Sequence, residues 1–124
     1  MTHPNIRVMV VDDSELWRGQ VDLILEQQPE FKIVAAAATG DEAIIKAREL
    51  HPEVIVMDLG LPGMNGFEAA KQIREEFSDI KFVFFSVEHN PATIAATLSL
   101  RGSAYVMKTR GWTELAKAIR TVSS

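Results

Sequence analysis

The sequence contains no cysteine among its 124 residues, so no disulfide can stabilise its fold. It has no apolar run approaching the roughly 18 residues that a membrane-spanning helix needs. Residues 1–5 lack the basic region and the apolar region of a signal peptide. These absences exclude insertion into a membrane and are typical of a cytoplasmic protein.

Positive charge is outweighed by negative charge. The sequence has 13 lysine and arginine residues against 17 aspartate and glutamate residues, which gives a formal net charge of −4. Nonspecific binding to nucleic acid depends on clustered Lys and Arg, which release counterions from the phosphate backbone. We therefore expect no direct nucleic acid binding by this domain, and any role of DNA would need another domain.

The chain is built from a regular alternation of strand-length apolar runs and helical segments. The apolar runs lie at residues 6–11, 31–36, 54–57, 81–85 and 104–107. Five segments with apolar residues at helical spacing follow them in turn. This alternation indicates a parallel sheet covered by helices on both faces, with right-handed crossovers. We predict a single α/β domain, a doubly wound, flavodoxin-like three-layer sandwich with strand order 2-1-3-4-5.

Polar residues gather where the predicted strands end. Six of them stand on or just after four strands: Asp12, Asp13, Asp58, Ser86, Tyr105 and Lys108. In a doubly wound sheet, ligands bind outside the carboxyl ends of the strands. We therefore expect these side chains to converge on one edge of the sheet.

Three neighbouring carboxylates need a positive partner, because each pair repels by about 4 kcal/mol at an effective dielectric constant near 20. Oxygen ligands without His or Cys suit Mg²⁺, and the main-chain carbonyl of Gly60 is a further candidate ligand. Lys108 would supply a second positive charge. In this setting Asp58 is the natural nucleophile for a phosphoryl group, since carboxylates form acyl phosphates.

Each residue also has an ordinary structural interpretation. Asp13 and Ser14 are suitable N-caps for the first helix. Asp58 is a common residue type before a turn, Ser86 is a common residue type at a strand end, and Lys108 could be a solvated surface residue. Only the joint placement of these residues at four strand ends favours a site.

With these residues in place, the chain resembles a response regulator receiver domain of two-component signalling, over essentially its whole length. The segments MDLGLPGMNG and AYVMKTRGWTELAKAIRTV are most similar to the NarL/FixJ (LuxR-type) subfamily. The resemblance implies a CheY-like fold and a regulatory phosphoacceptor, not an enzyme, that performs only self-phosphorylation and self-dephosphorylation. Residues 1–124 would form the receiver domain, with no output domain in this chain.

The resemblance also implies roles for the candidate site residues. Asp12, Asp13, Asp58 and the Gly60 carbonyl would hold Mg²⁺, which Mn²⁺ could replace. Asp58 would accept phosphate from a sensor histidine kinase or a phosphotransfer protein. Ser86 and Lys108 would contact the phosphoryl group, and Tyr105 would change rotamer as part of the switch. The expected output is transcription through a DNA-binding domain, with a possible homodimer on phosphorylation.

The sequence departs from the family pattern at three positions. Thr109 follows Lys108 where many receivers have proline after a cis peptide bond. Either the Lys108–Thr109 bond is cis and strained, or the loop has a different conformation. Val87 follows Ser86 where a smaller residue is common, which predicts slow dephosphorylation because a branched side chain would hinder the attacking water. Ala104 replaces a frequent glycine, a minor packing change.

Three rival functions remain to be weighed. A phosphohydrolase of the haloacid-dehalogenase type would need an aspartate where Gly60 stands. A nucleotide-binding module would need a glycine-rich loop where Asp12 and Asp13 stand. A pseudo-receiver that serves as a docking or dimerisation module without phosphorylation is the surviving alternative, and Thr109 and Val87 are the residues that favour it.

The segment 91–100 carries no charge and is apolar over most of its helical circumference. Such a helix is unusual at a solvated surface. It is either an interaction surface, for a second copy of the chain or an output domain, or a well-buried helix of small residues.

Overall fold

The computed structural model describes residues 5–124, so most of the segment considered for a signal peptide lies outside the described residues. Five strands alternate with five helices in this range. The strands are β1 (Ile6–Val11), β2 (Phe31–Ala37), β3 (Val54–Met57), β4 (Lys81–Ser86) and β5 (Ser103–Met107). The helices are α1 (Glu15–Glu26), α2 (Gly40–Leu50), α3 (Gly66–Glu76), α4 (Pro91–Leu98) and α5 (Trp112–Ser123), and a short 3-10 turn, Lys108–Arg110, precedes α5.

All strand pairs are parallel, and the sheet has the order β2-β1-β3-β4-β5. The predicted doubly wound fold is therefore confirmed. The order reverses at β1, since the chain moves first to β2 on one side and then to β3 on the other. This arrangement places the ends of β1 and β3 side by side at the edge where the candidate site residues stand.

Helices cover both faces of the sheet, as the apolar runs predicted. Met9 and Val11 of β1 face a core that also contains buried residues of α2 and α3. Val8 and Val10 face a second core that contains buried residues of α1 and α5. The strands are apolar throughout because both of their faces are buried.

The beginning of each of the first four helices is fixed by a side-chain cap. Ser14, Thr39, Asn65 and Asn90 each accept a hydrogen bond from a main-chain N–H of the first turn. These caps satisfy N–H groups that have no partner within the helix. The capping interpretation of Ser14 is thus correct, and it places α1 immediately after the acidic pair.

Helix α4 is not the well-buried helix that was one interpretation of its sequence. Of its eight residues, all of which the structure describes, Thr97 alone is buried, and Leu98 is 50% exposed. An uncharged, largely apolar helix thus lies at the surface beside β5. In residues 5–124, no helix combines the length and the apolar character needed to cross a bilayer.

Candidate functional site

The main chain brings the two acidic strand ends together. The N–H of Asp12 donates to the carbonyl of Ala37 at 3.0 Å, and the N–H of Asp58 donates to the carbonyl of Val11 at 2.9 Å. The hydrogen-bonded ladder of the sheet thus continues to both aspartates. Their positions follow from the register of β1 with its two neighbours, as the strand-end argument predicted.

Asp12, Asp13 and Asp58 form a compact acidic cluster. One carboxylate oxygen from each residue lies within 4.8 Å of the others. Asp12 and Asp58 are 4% and 7% exposed, whereas Asp13 lies at the surface. Carboxylate oxygens are the ligand atoms that Mg²⁺ prefers in proteins, and the exposed side of the cluster leaves room for the waters that the ion keeps. The three residues therefore fit a magnesium ion.

Lys108 supplies the positive charge that the acidic cluster requires. Its Nζ donates a hydrogen bond of 2.6 Å to Oδ2 of Asp12 and lies 3.5 Å from Oδ2 of Asp58. The lysine side chain is only 4% exposed, so the interpretation as a solvated surface residue is wrong. Residues 5–124 contain no cis peptide bond, so Lys108 reaches the carboxylates through a trans bond to Thr109, and the proposed strained bond is absent.

Burial dominates the electrostatics of Asp12. It raises the pKa of this carboxyl above its usual value, while the hydrogen bonds from Lys108 and from the Ser14 N–H oppose the increase. The charge of Asp58 nearby acts in the same direction as burial. The charged form of the Asp12 carboxyl is therefore disfavoured by burial and stabilised by its positive neighbour Lys108.

Ser86 ends β4 and Tyr105 lies in the middle of β5, both near Asp58 of the acidic cluster. Ser86 is 2% exposed, and its Oγ accepts a hydrogen bond of 3.4 Å from the N–H of Glu88. The hydroxyl of Tyr105 donates to the carbonyl of Glu88. Burial raises the pKa of the Tyr105 phenol, and a hydrogen bond with Ser86 opposes the increase. Both predicted switch residues therefore contact the loop that joins β4 to α4.

A cavity of about 620 Å³ opens beside this group and is lined by Asp58, Gly60, Ser86 and Val87, among others. The N–H of Gly60 points to Oδ1 of Asp58 at 3.4 Å. The structure thus brings Gly60 to the site, and the role of its carbonyl as a ligand stays a prediction. Val87 is 61% exposed at the mouth of the cavity.

Two site residues on α1 were missed by the sequence argument, which considered strand ends only. Arg18 donates a hydrogen bond of 2.6 Å to the main-chain carbonyl of Asp12. The Trp17 ring lies beneath the ammonium group of Lys108, with 4.6 Å between Nζ and the ring centroid. The available signal was their position in the first helical turn after the acidic pair, which must lie close to the same edge of the sheet.

Nearly all of the chain is similar to proteins of one family. The sequence profile of the response regulator receiver domain matches residues 8–120. Transcriptional regulatory protein LiaR of Bacillus subtilis is 37% identical over 118 residues, which are 95% of this chain and 56% of LiaR. Response regulator GacA of Pseudomonas protegens is 36% identical over 117 residues, which are 94% of this chain and 55% of GacA. The chain thus spans about half the length of these curated relatives.

The fold is similar to that of solved response regulators as well. The crystal structure of a two-component response regulator of the LuxR family from Aurantimonas sp. SI85-9A1 has a TM-score of 0.91 and 33% sequence identity, covering 96% of this chain and 85% of that chain. Since the profile and these relatives cover nearly all of the described residues, this chain belongs to the response regulator receiver domain family of two-component systems.

Proposed function

We propose that this chain is a phosphorylation-controlled switch in which Asp58 accepts a phosphoryl group from a sensor histidine kinase or a phosphotransfer protein. One observation carries the proposal: the buried ammonium of Lys108 lies between Asp12 and Asp58 while Asp13 completes the acidic cluster. A structural ion pair would need only one carboxylate. The additional negative charge is the arrangement expected of a site that binds a metal ion and a phosphoryl group.

In the proposed reaction, a carboxylate oxygen of Asp58 attacks the phosphorus atom of phosphohistidine. A new P–O bond forms as the P–N bond breaks, and the leaving imidazole keeps the electron pair. Lys108 is placed to pair with an oxygen of the transferred group, and the Ser86 hydroxyl to donate to another. Mg²⁺ held by Asp12, Asp13, Asp58 and the Gly60 carbonyl, or Mn²⁺ in its place, would neutralise further charge on the phosphoryl oxygens.

The signal would leave the site through the loop from β4 to α4. Ser86 and Tyr105 both contact Glu88 in this loop, so drawing the Ser86 hydroxyl toward a phosphoryl group changes the environment of the Tyr105 ring. Because Glu88 shortly precedes the exposed α4, repacking there would alter a surface suited to an output domain or to a second copy of the chain.

The proposed output is transcription, since LiaR is a transcriptional regulatory protein and this chain spans about half its length. DNA would then be bound by an output domain and not by the receiver, whose sequence has a net charge of −4. In this proposal the chain is a regulatory phosphoacceptor that acts in the cytoplasm. Its turnover is limited to its own phosphorylation and dephosphorylation.

The proposal is tested by incubating the protein with acetyl phosphate and Mg²⁺ and measuring its intact mass. We expect one added phosphoryl group that is released by hydroxylamine, because hydroxylamine cleaves acyl phosphates. The same incubation with EDTA is the control and is expected to give no adduct. An unmodified protein that also fails to bind beryllofluoride would contradict the proposal and favour the docking-module alternative.

A metal dependence of stability is expected from the acidic cluster. Mg²⁺ at ten times its dissociation constant should raise the free energy of unfolding by about 1.4 kcal/mol, because the ion binds only the folded chain. In Asp13→Asn, which alters the exposed member of the cluster, this increase should be lost at the same Mg²⁺ concentration. Urea unfolding with and without Mg²⁺ measures it, and equal stabilisation of both proteins would place the ion elsewhere.

The Val87 side chain is expected to slow hydrolysis of the acyl phosphate. We expect its branched side chain, which lines the same cavity as Asp58, to hinder the approach of water to the acyl phosphate. In Val87→Ala, dephosphorylation should be faster by a small factor, about two- to five-fold, which corresponds to roughly 0.4–1 kcal/mol. Loss of the phosphorylated mass over time measures the rate, and an unchanged rate would remove this role from Val87.

A further inference from the structure

The ammonium group of Lys108 has a third contact besides its two carboxylates. It lies over the ring of Trp17, with 4.6 Å from Nζ to the ring centroid. A cation over the face of an indole is attracted by the electrons of the ring, and the attraction is stronger where water is excluded. The lysine side chain here is 4% exposed, so the contact belongs to the desolvated kind.

The Trp17 ring is itself held in place by two other aromatic side chains. It meets the ring of Phe85 edge-on, with centroids 6.0 Å apart and planes at 85°. The ring of Trp112 packs against both, with centroids 5.9 Å from Trp17 and 5.6 Å from Phe85. Phe85 is buried next to Ser86 at the end of β4, and Trp112 begins α5. The face presented to Lys108 is thus fixed by α1, β4 and α5 together.

We infer that Trp17 is a positioning residue for Lys108, an inference that rests on the proposed phosphoryl transfer to Asp58. Asp12 is the carboxylate closest to the ammonium and is also a proposed metal ligand. It would therefore interact with two positive charges, the lysine and the metal ion. The indole face attracts the ammonium without accepting its N–H hydrogens in a conventional hydrogen bond. The two donors that Asp12 does not use therefore remain free for the oxygens of Asp58 and of a phosphoryl group, while the ring limits where the ammonium can move.

The residue that follows Lys108 explains why the lysine side chain needs Trp17 to position it. The peptide bond after Lys108 is trans and lies within the 3-10 turn Lys108–Arg110, and Thr109 does not restrict the backbone as a proline would. The side chain of Lys108 must then be oriented by what it contacts. Trp17 contacts Lys108 and belongs neither to the acidic cluster nor to the metal site.

The test compares the initial rates of phosphorylation by acetyl phosphate in matched variants. Trp17→Leu should be slower by about ten-fold, equivalent to about 1.4 kcal/mol, because it fills space but has no aromatic face. Phe31→Leu, which removes the aromatic face beneath Arg120 at the opposite edge of the sheet, should keep the wild-type rate. Equal losses in both variants, or no loss in Trp17→Leu, would overturn the inference.

A conservative pair guards against misfolding of the leucine variants. Trp17→Phe keeps an aromatic face that attracts cations less strongly, so its rate should fall only by about two- to three-fold. Trp112→Phe should be unaffected, because it keeps an aromatic ring against Trp17. If the two phenylalanine variants react at the same rate, Trp17 has no positioning role.

A second measurement needs no phosphorylation. In Trp112→Phe the remaining tryptophan is Trp17, because the sequence has two tryptophans. Its emission should change when Lys108→Met removes the ammonium, and should stay unchanged with Lys81→Met at the opposite edge of the sheet. If the Trp17 emission is the same with and without Lys108→Met, the inferred contact between Trp17 and Lys108 is wrong.

The two measurements separate the inference from the function on which it rests. If the wild-type protein takes no phosphoryl group, the proposed function fails, and the emission experiment still decides whether Trp17 senses Lys108. If the wild type is phosphorylated and the Trp17 variants match it, the function stands and the positioning role of Trp17 fails.

Discussion

Asp58→Asn is expected to abolish phosphorylation completely while leaving the fold intact. The amide cannot form an acyl phosphate, and the position of Asp58, 3.5 Å from Lys108 and in the lining of the same cavity as Ser86, makes it the proposed acceptor. Intact-mass measurement after incubation with acetyl phosphate and Mg²⁺ should show only unmodified protein. An adduct of normal yield on this variant would mean that another residue is the acceptor.

The same substitution is expected to stabilise the metal-free protein. Asp58 has two repulsive neighbours, Asp12 and Asp13, and one attractive neighbour, Lys108, at 3.5 Å. Removing its charge should therefore raise the free energy of unfolding by about 1 kcal/mol without Mg²⁺. Urea unfolding measures this change, and a loss of stability would show that the ion pair outweighs the repulsion.

Asp79→Asn is the matched control. Asp79 lies in the loop before β4, at the opposite edge of the sheet, and its side chain is 73% exposed beside His51. The chemical change is the same, but the site is untouched. This variant should be phosphorylated like the wild type, so a defect shared by both variants would indicate a general effect of the substitution.

Gly66→Ala is expected to destabilise the protein by about 3 kcal/mol or more, because the added methyl group would clash with main-chain atoms. A Cβ atom at Gly66 would lie 2.0 Å from the main-chain carbonyl oxygen of Asp58 and 2.9 Å from Cγ of Met57. A main-chain atom cannot move away as a flexible side chain can. The beginning of α3 or the backbone of Asp58 would have to shift.

Phosphorylation of Gly66→Ala should fall together with its stability, since any shift of the Asp58 backbone moves the carboxylate relative to Lys108. Gly19→Ala is the control, because a Cβ there meets open space on α1 and should stabilise the helix by about 0.8–1 kcal/mol. Urea unfolding and the initial rate of phosphorylation measure both effects. A stability of Gly66→Ala within 1 kcal/mol of the wild type would show that this approach relaxes easily.

The sequence by itself determined the fold and the edge at which the site lies. Apolar runs of strand length fixed the five strands to within one residue at each end, because both faces of a parallel sheet must be buried. Polar residues directly after these runs then had to meet at one edge, since all the strands point the same way. The convergence of Asp12, Asp58 and Lys108 needed no further information.

Only the tertiary structure decided contacts that depend on which helix packs where. Gly66 approaches the main-chain carbonyl of Asp58, although a loop separates the two residues in the sequence. The contact of Trp17 with Lys108 joins α1 to the end of β5, and the exposure of α4 depends on what remains uncovered beside β5. Periodicity shows which residues are apolar and which face of an element they share. It carries no information on the partner of that face, because the partner is set by packing between elements that are distant in sequence.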